Sequence, residues 1–445
     1  MAYHLHKKKH LSSFQIIILD FAGVILLGTF LLMLPFSSQS GICTPFHQAL
    51  FTATSAVCVT GLVVLDTASY WSLFGQFIIL MLIQIGGLGV ITVTASFALI
   101  SGKKITLMQR STMQEAIAAP KVGGIVRLTG FILKATFFFE LVGALLMMPV
   151  FCKDFGIKGI WLSLFHSISA FCNAGFDLMG TINAPFVSLT KYAGNTIINL
   201  TIMLLIIIGG IGFLTWEDIR TNKLRFRCYR MQSKVILVTT LLLILIPAVI
   251  FFFSDYAQMT TKDRVLCSLF QAITPRTAGF NTTDLTVMGE HNLAIIIVLM
   301  LIGGSPGSTA GGMKTTTIAV LFANVIATFR RKEYAEIFDR RIDSDAIRNA
   351  ATIFIMYLFL FFCSALYISC IEQLPLNVCL FETASAIGTV GLSLGITPTL
   401  SLLSQSILIL LMFFGRVGGL TLIFAALSGT SRNLVKLPQE KITVG

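Results

Sequence analysis

Charge is scarce in this chain. Asp, Glu, Lys and Arg make up 12% of its 445 residues, against about 25% in soluble domains. No stretch has the composition of a soluble domain, and the longest polar loop, 330–349, interrupts an otherwise apolar sequence. No G-x-G-x-x-G follows a strand pattern, so any nucleotide sensing falls to another chain. HExxH is absent and carboxylates do not cluster within the apolar runs, which argues against a membrane-embedded enzyme. The nine cysteines are scattered and form no CxxC pair, a pattern of free thiols rather than disulfides or zinc ligands.

Apolar sequence takes the place of charge. Hydrophobic residues reach 55%, with a mean hydropathy of +0.87. A membrane span needs about 20 apolar residues. Eight such runs occur, near 14–35, 72–100, 127–150, 192–216, 234–254, 291–328, 350–370 and 402–427. The first follows Lys7, Lys8 and Lys9 but is too long for a signal-peptide core and lacks a small-residue cleavage site, so it reads as an uncleaved span.

Between the members of each pair of runs lies a shorter apolar stretch holding one copy of a repeat. The copies are LFTATSAVCVTGL (50–62), LFHSISAFCNAGF (164–176), LFQAITPRTAGF (269–280) and LFETASAIGTVGL (380–392). Each starts Leu-Phe, continues with small and hydroxyl residues, and ends at a Gly: Gly61, Gly175, Gly279 or Gly391. Stretches this short read as re-entrant segments rather than spans. The expected fold is an all-α membrane protein of four span–re-entrant loop–span units, 1–110, 111–225, 226–340 and 341–445. Non-helical backbone is tolerated in a bilayer only where protein covers it or it lines a water-filled cavity. Glycine lets the chain turn its carbonyls toward an axis. Four such segments predict rings of carbonyl oxygens able to replace the hydration shell of an alkali cation. The negative end of each preceding short helix would point at the same pathway.

The basic residues set orientation. The N-terminus, 101–127, 217–234, 329–348 and the C-terminal tail hold 23 of the 32 Lys and Arg. The repeat-bearing segments hold Lys153, Lys158, Lys191, Lys262, Arg264 and Arg276. The positive-inside rule puts both termini in the cytoplasm and the repeats outside. The basic loops read as orientation signals or as a docking face for a cytoplasmic partner or anionic lipid. Asp66, Asp177 and Asp284 follow three of the repeat glycines and suggest a mildly acidic mouth, or ordinary loop solvation.

These four units, each with one filter glycine, resemble the Trk/Ktr/HKT superfamily of potassium transporters over nearly the whole chain. Its length and short N-terminus are most like the membrane subunit of bacterial Ktr uptake systems. The resemblance implies a selectivity filter at Val59-Thr60-Gly61, Asn173-Ala174-Gly175, Thr277-Ala278-Gly279 and Thr389-Val390-Gly391. Only the fourth copy keeps the TVG of potassium channels and none has a second glycine, which predicts looser discrimination against sodium. Glycine in all four copies implies potassium as the permeant ion. The resemblance further implies a homodimer with two separate pores, a cytoplasmic ring of nucleotide-binding regulatory subunits, plasma-membrane location, no bound cofactor in this chain, and a role for Na+ beside K+.

The sixth run is interrupted by Gly303-Gly304-Ser305-Pro306-Gly307-Ser308-Thr309-Ala310-Gly311-Gly312-Met313-Lys314. Such a run of glycines with a proline does not hold a regular helix. Met313 spoils the match to a phosphate-binding loop, which needs Lys directly after its second glycine. The segment is expected to plug the pathway below the filter as a gate, an expectation the family shares, or to be a static packing break. Arg416, inside the last apolar run, must face protein or water. The resemblance implies that it points to the pathway beneath the filter, as a barrier or a tie to the gating loop; a structural ion pair is the other reading. Asp20, Lys134 and Glu140 also interrupt apolar runs. Gly86-Gly87-Leu88-Gly89 and Gly209-Gly210-Ile211-Gly212 predict close helix approach or bending. A secondary cation symporter with alternating access is the alternative function; it would place inverted repeats on opposite sides of the membrane.

Overall fold

The computed structural model describes residues 12–90, 92–93, 107–117, 123–223, 225–419 and 421. They form fifteen helices of ten or more residues: α1 Ser13–Leu32, α2 Phe46–Val57, α3 Leu73–Leu88, α4 Leu107–Ile117, α5 Ile125–Phe155, α6 Lys158–Phe171, α7 Thr196–Gly210, α8 Phe213–Asn222, α9 Met231–Phe253, α10 Thr261–Ile273, α11 Glu290–Leu301, α12 Thr315–Phe329, α13 Ser344–Glu372, α14 Leu376–Gly388 and α15 Leu402–Val417. The described strands are a two-residue pair, β1 Glu336–Ile337 and β2 Arg340–Arg341, between α12 and α13. The protein is all-helical.

Four times a long apolar helix (α1, α5, α9, α13) is followed by a short one (α2, α6, α10, α14) and then by a second apolar helix (α3, α7, α11, α15). Each short helix packs on the long helix before it. Three of the second helices start at a side-chain cap: Ser72, Asn195 and Ser401 accept from the amides of Gly75, Ile198 and Ser404. Many of the large apolar side chains that remain exposed, such as Phe137, Leu241, Ile355 and Phe359, lie on the long helices. In water that surface would be a liability. Against lipid it costs nothing.

The four long helices are each long and apolar enough to cross a membrane. The second helices depart from the eight continuous runs of the sequence. α3 ends before Gly89, and α15 before Gly418; α7 turns by 96° into α8 at Gly212. These three glycines have φ of 85°, 88° and 91°, in the left-handed half of backbone space that stops a helix. Three residues earlier in each, Gly86, Gly209 and Gly415 lie against a short helix. A Cβ there would stand 2.0, 2.0 and 2.2 Å from the carbonyls of Val57, Phe171 and Ile387. The glycine patches thus supply both close approach and bending. Parts of the second and eighth runs, 94–100 and 422–427, lie outside the described residues.

The contacts between the four segments close on themselves. α3 packs on α6, α7 on α10, α11 on α14, and α15 back on α2. Each second helix touches the next short helix, so the chain forms one ring with the four short helices inside it.

Candidate functional site

The polar ends of the short helices carry the repeat glycines. Past each helix the backbone takes the same turn. Val59, Asn173, Thr277 and Thr389 have φ of 56°, 58°, 69° and 52°, and the glycines two residues on have φ of 91°, 69°, 78° and 95°. Three of the four non-glycine residues are β-branched, for which positive φ is a genuine outlier. At about 1–3 kcal/mol each, this conformation persists only where its surroundings over-determine it. Hydroxyl residues at the helix ends do that. The Gly61 and Gly391 amides donate to the hydroxyls of Ser55 and Ser385, both at 3.0 Å. The hydroxyls of Ser169 and Thr274 donate to the carbonyls of Phe176 and Phe280, both at 2.7 Å.

The four turns meet. A Cβ on Gly61 would stand 2.5 Å from the Ala174 carbonyl oxygen, on Gly175 2.7 Å from Ala278, on Gly279 2.2 Å from Val390, and on Gly391 2.2 Å from Thr60. The cycle runs through all four copies and returns to its start. Four glycines and the four preceding carbonyls therefore form one closed ring. The side-chain oxygens of Thr60 and Thr389 are buried beside it and have no protein partner. The Asn173 side-chain amide meets Thr277 Oγ1 at 3.4 Å, joining the second copy to the third, and its nitrogen belongs on the side of the Ile206 and Ala170 carbonyls.

On one side of the ring lies a cavity of about 330 Å³, bordered by all four glycines and by Asp66 and Asp177. Asp66 is buried and ties the first copy to the second: it accepts from the amides of Ser69 at 2.8 Å and Phe186 at 2.9 Å. Burial pushes the Asp177 carboxyl up to about 6, the Met179 amide opposes the rise, and the negative Asp66 adds to it. Asp177 is thus charged above about pH 6 and neutral below. Cation uptake at low substrate concentration is expected to fall roughly threefold as external pH drops from 7 to 5. Asp177→Asn flattens that profile. A wild-type-like pH profile in this variant would remove Asp177 as its origin. Asp284, exposed, lines a neighbouring cavity of about 700 Å³ instead.

The segment Gly303–Lys314 lies on the other side. Gly311 and Gly312 press against the fourth copy, where a Cβ would stand 2.2 Å from Thr389 Oγ1 and 2.8 Å from the Gly388 carbonyl. The segment is held by the broken second helices. Ser305 and Thr309 donate to the Gly210 and Gly209 carbonyls at 3.0 and 3.3 Å. Phe213 donates to Gly307 at 2.7 Å, and Gly312 to Gly415 at 3.1 Å. The Arg416 guanidinium binds the Thr309 carbonyl with one nitrogen and the Gly86 and Gly87 carbonyls with the other. No carboxylate pairs with it among the described residues, so its partners are backbone oxygens rather than an ion pair. Lys314 donates to the carbonyls of Ala310 and Gly311 at 2.8 and 3.3 Å. A cavity of about 370 Å³ beneath is bordered by Pro306, Lys314, Arg416 and Glu115. Gly303–Gly307 spells G-x-S-x-G, but the Ser305 hydroxyl pairs with Thr315 at 3.2 Å, and among the described residues no hydrogen bond links it to a histidine.

The structure brings all twelve expected ring residues together, with the glycine-rich segment and Arg416 next to them. Other residues escaped the sequence. Arg276 is not a base of the outer face; it is buried three residues before Gly279 and bonds Thr240 on α9 at 3.2 Å. Glu382 is likewise fully buried rather than part of an acidic surface. Glu140 accepts from Gln84 at 3.3 Å, and its backbone carbonyl accepts from Ser167 at 2.6 Å, which binds α5 to α3 and α6. Lys134 is exposed on α5 and Asp20 half-buried on α1. All nine cysteines are free; Cys58, Cys172, Cys267 and Cys379 are buried.

Comparison with known proteins finds relatives over nearly the whole chain. The TrkH family, described as cation transport protein, matches residues 3–439. The potassium/sodium uptake protein NtpJ of Enterococcus hirae is 40% identical over 98% of this chain and 98% of its own length. The Ktr system potassium uptake protein B of Bacillus subtilis is 38% identical over 97% of this chain and 96% of its own. The crystal structure of the potassium transporter TrkH from Vibrio parahaemolyticus aligns with a TM-score of 0.73 at 18% identity, covering 95% of this chain and 86% of that one. At that identity the likeness establishes the fold.

Proposed function

This chain belongs to the TrkH family of cation transport proteins, and from that premise we propose that it takes up potassium across the plasma membrane through one pore per chain. The observation that carries this reading is the closed ring of Gly61, Gly175, Gly279 and Gly391 with a cavity on either side. The carbonyls of Thr60, Ala174, Ala278 and Val390 stand in for the water that a potassium ion sheds. The units 1–110, 111–225, 226–340 and 341–445 each contribute one quarter, with α4 straddling the first boundary. Filter residues are the twelve from Val59 to Gly391 in the four triplets. The Gly303–Lys314 segment is the gate, and Arg416 its latch. Potassium is the main permeant ion; the name of the Enterococcus relative adds sodium to it.

The Ktr system names of three relatives speak for a separate regulatory subunit. In this reading both termini are cytoplasmic, the subunit forms a homodimer, and nucleotide-binding regulators dock on its basic inner loops. The test is rubidium uptake in cells lacking their own potassium uptake. The chain alone should give slow, voltage-dependent uptake, and co-expression with a nucleotide-binding partner should raise it several-fold. Saturable flux indifferent to membrane potential would instead favour alternating access. Gly61→Ser should shift the ion preference toward sodium, and unchanged ion ratios would count against the filter assignment.

A further inference from the structure

The residue after each Leu-Phe pair is polar and buried in all four copies: Thr52, His166, Gln271 and Glu382. Their partners differ. Thr52 bonds within its own helix, to the Gln48 carbonyl at 2.9 Å. His166 lies 2.7 Å from the Leu162 carbonyl and accepts from the Leu178 amide through Nε2 at 3.4 Å, so the proton belongs on Nδ1. Neither end of the Gln271 amide has a hydrogen-bond partner among the described residues. Only Glu382 reaches side chains that line the mouth. Its Oε2 accepts from Ser393 Oγ at 2.9 Å and its Oε1 from Thr397 Oγ1. Ser393 and Thr397 border the 330 Å³ cavity beside Gly391.

A carboxylate accepts and does not donate. With Glu382 ionised, both hydroxyl protons turn inward toward it. The two oxygens lie 3.1 Å apart and each carries two lone pairs, with Thr397 Oγ1 also within donating distance of Ser393 Oγ. Ser393 Oγ uses one to accept the Gly395 amide at 2.9 Å. The lone pairs left over, chiefly those of Thr397 Oγ1, are available to a cation in the cavity that both residues border. Among the described residues no Lys or Arg borders that cavity. Hydroxyl oxygens with their protons tied back are the donor type that suits an alkali cation losing part of its water.

We propose that Ser393 and Thr397 form an outer docking site for a monovalent cation above the ring, and that Glu382 is the positioning residue that orients them. The proposal rests on the reading of this ring as a potassium pathway. Replacing Glu382 by Gln makes one of its two bonds run backward, because the amide nitrogen donates. A lone pair that faced the cavity is then consumed. The site weakens while the ring itself is left in place.

The experiment is the concentration dependence of rubidium uptake by the full chain in cells lacking their own potassium uptake, for Glu382→Gln, Thr397→Val and the double variant. Each single variant is expected to raise KM about tenfold, equivalent to about 1.4 kcal/mol. Vmax should stay within about twofold per chain in the membrane. The double variant should resemble the singles, since both remove one bond. A packing role would lower Vmax or membrane abundance at constant KM. Wild-type KM in either single variant overturns the proposal. If Glu382→Gln fails to reach the membrane, Thr397→Val decides alone. Failure of the unmodified chain to take up rubidium would strike the conduction reading instead.

Discussion

Replacing Gly279 by Ala is expected to reduce rubidium uptake about 100-fold while the protein still reaches the membrane. Two costs add. Alanine at a φ of 78° is disfavoured by about 1–2 kcal/mol. The new methyl would also stand 2.2 Å from the Val390 carbonyl, an oxygen of the ring itself. Relief requires that carbonyl to swing away, so the distortion falls on the group assigned to hold the ion. At about 1.4 kcal/mol per decade, a combined cost of about 3 kcal/mol gives the stated loss. Gly23→Ala is the control. Gly23 sits in α1 with nothing within 4 Å of the added Cβ, so uptake should not change. Normal uptake by Gly279→Ala, at equal membrane abundance, would mean that the closest approach of the four segments is not on the ion's path.

Excising 305–309 is expected to raise uptake about tenfold or more. The cut is geometrically easy, because a Cβ on Gly304 would lie 2.2 Å from the Ala310 Cβ. Joining Gly304 to Ala310 therefore needs little movement of either end. The excision removes the Ser305 and Thr309 bonds to Gly210 and Gly209, and the Thr309 carbonyl that Arg416 holds. Lost hydrogen bonds of about 0.5–1.5 kcal/mol each bias a closed loop toward opening by the tenfold expected. Uptake measured per chain in the membrane is the readout. If uptake only falls, the segment is a structural plug and not a gate.

Much of the site was legible before folding because it is written four times. One glycine after a hydroxyl-rich stretch means little; four copies at matched positions name Gly61, Gly175, Gly279 and Gly391 together. The break at Gly303–Gly312 was equally plain, since glycine and proline in an apolar run exclude a regular helix. Arg416 announced itself by its charge in an apolar run. What it bonds was not legible. Its partners are the backbone oxygens of Thr309, Gly86 and Gly87, and backbone oxygens leave no mark in a sequence. The same holds for Gly89, Gly212 and Gly418. Each sits in a glycine cluster that suits packing and bending alike, and only the fold shows which glycine takes the positive φ that stops the helix.

Composition and repetition alone determined a membrane chain of four like units, because hydropathy and spacing are properties of the sequence read in order. Tertiary structure decided the left-handed turns at Val59, Asn173, Thr277 and Thr389, the inward burial of Arg276 and Glu382, and the latching of the glycine-rich segment by three other helices. Those features depend on groups from separate elements meeting within hydrogen-bond distance, as Arg276 meets Thr240 on α9 and Ser305 meets Gly210 on α7. Local propensity opposes several of them: a β-branched residue resists positive φ until its surroundings hold it there.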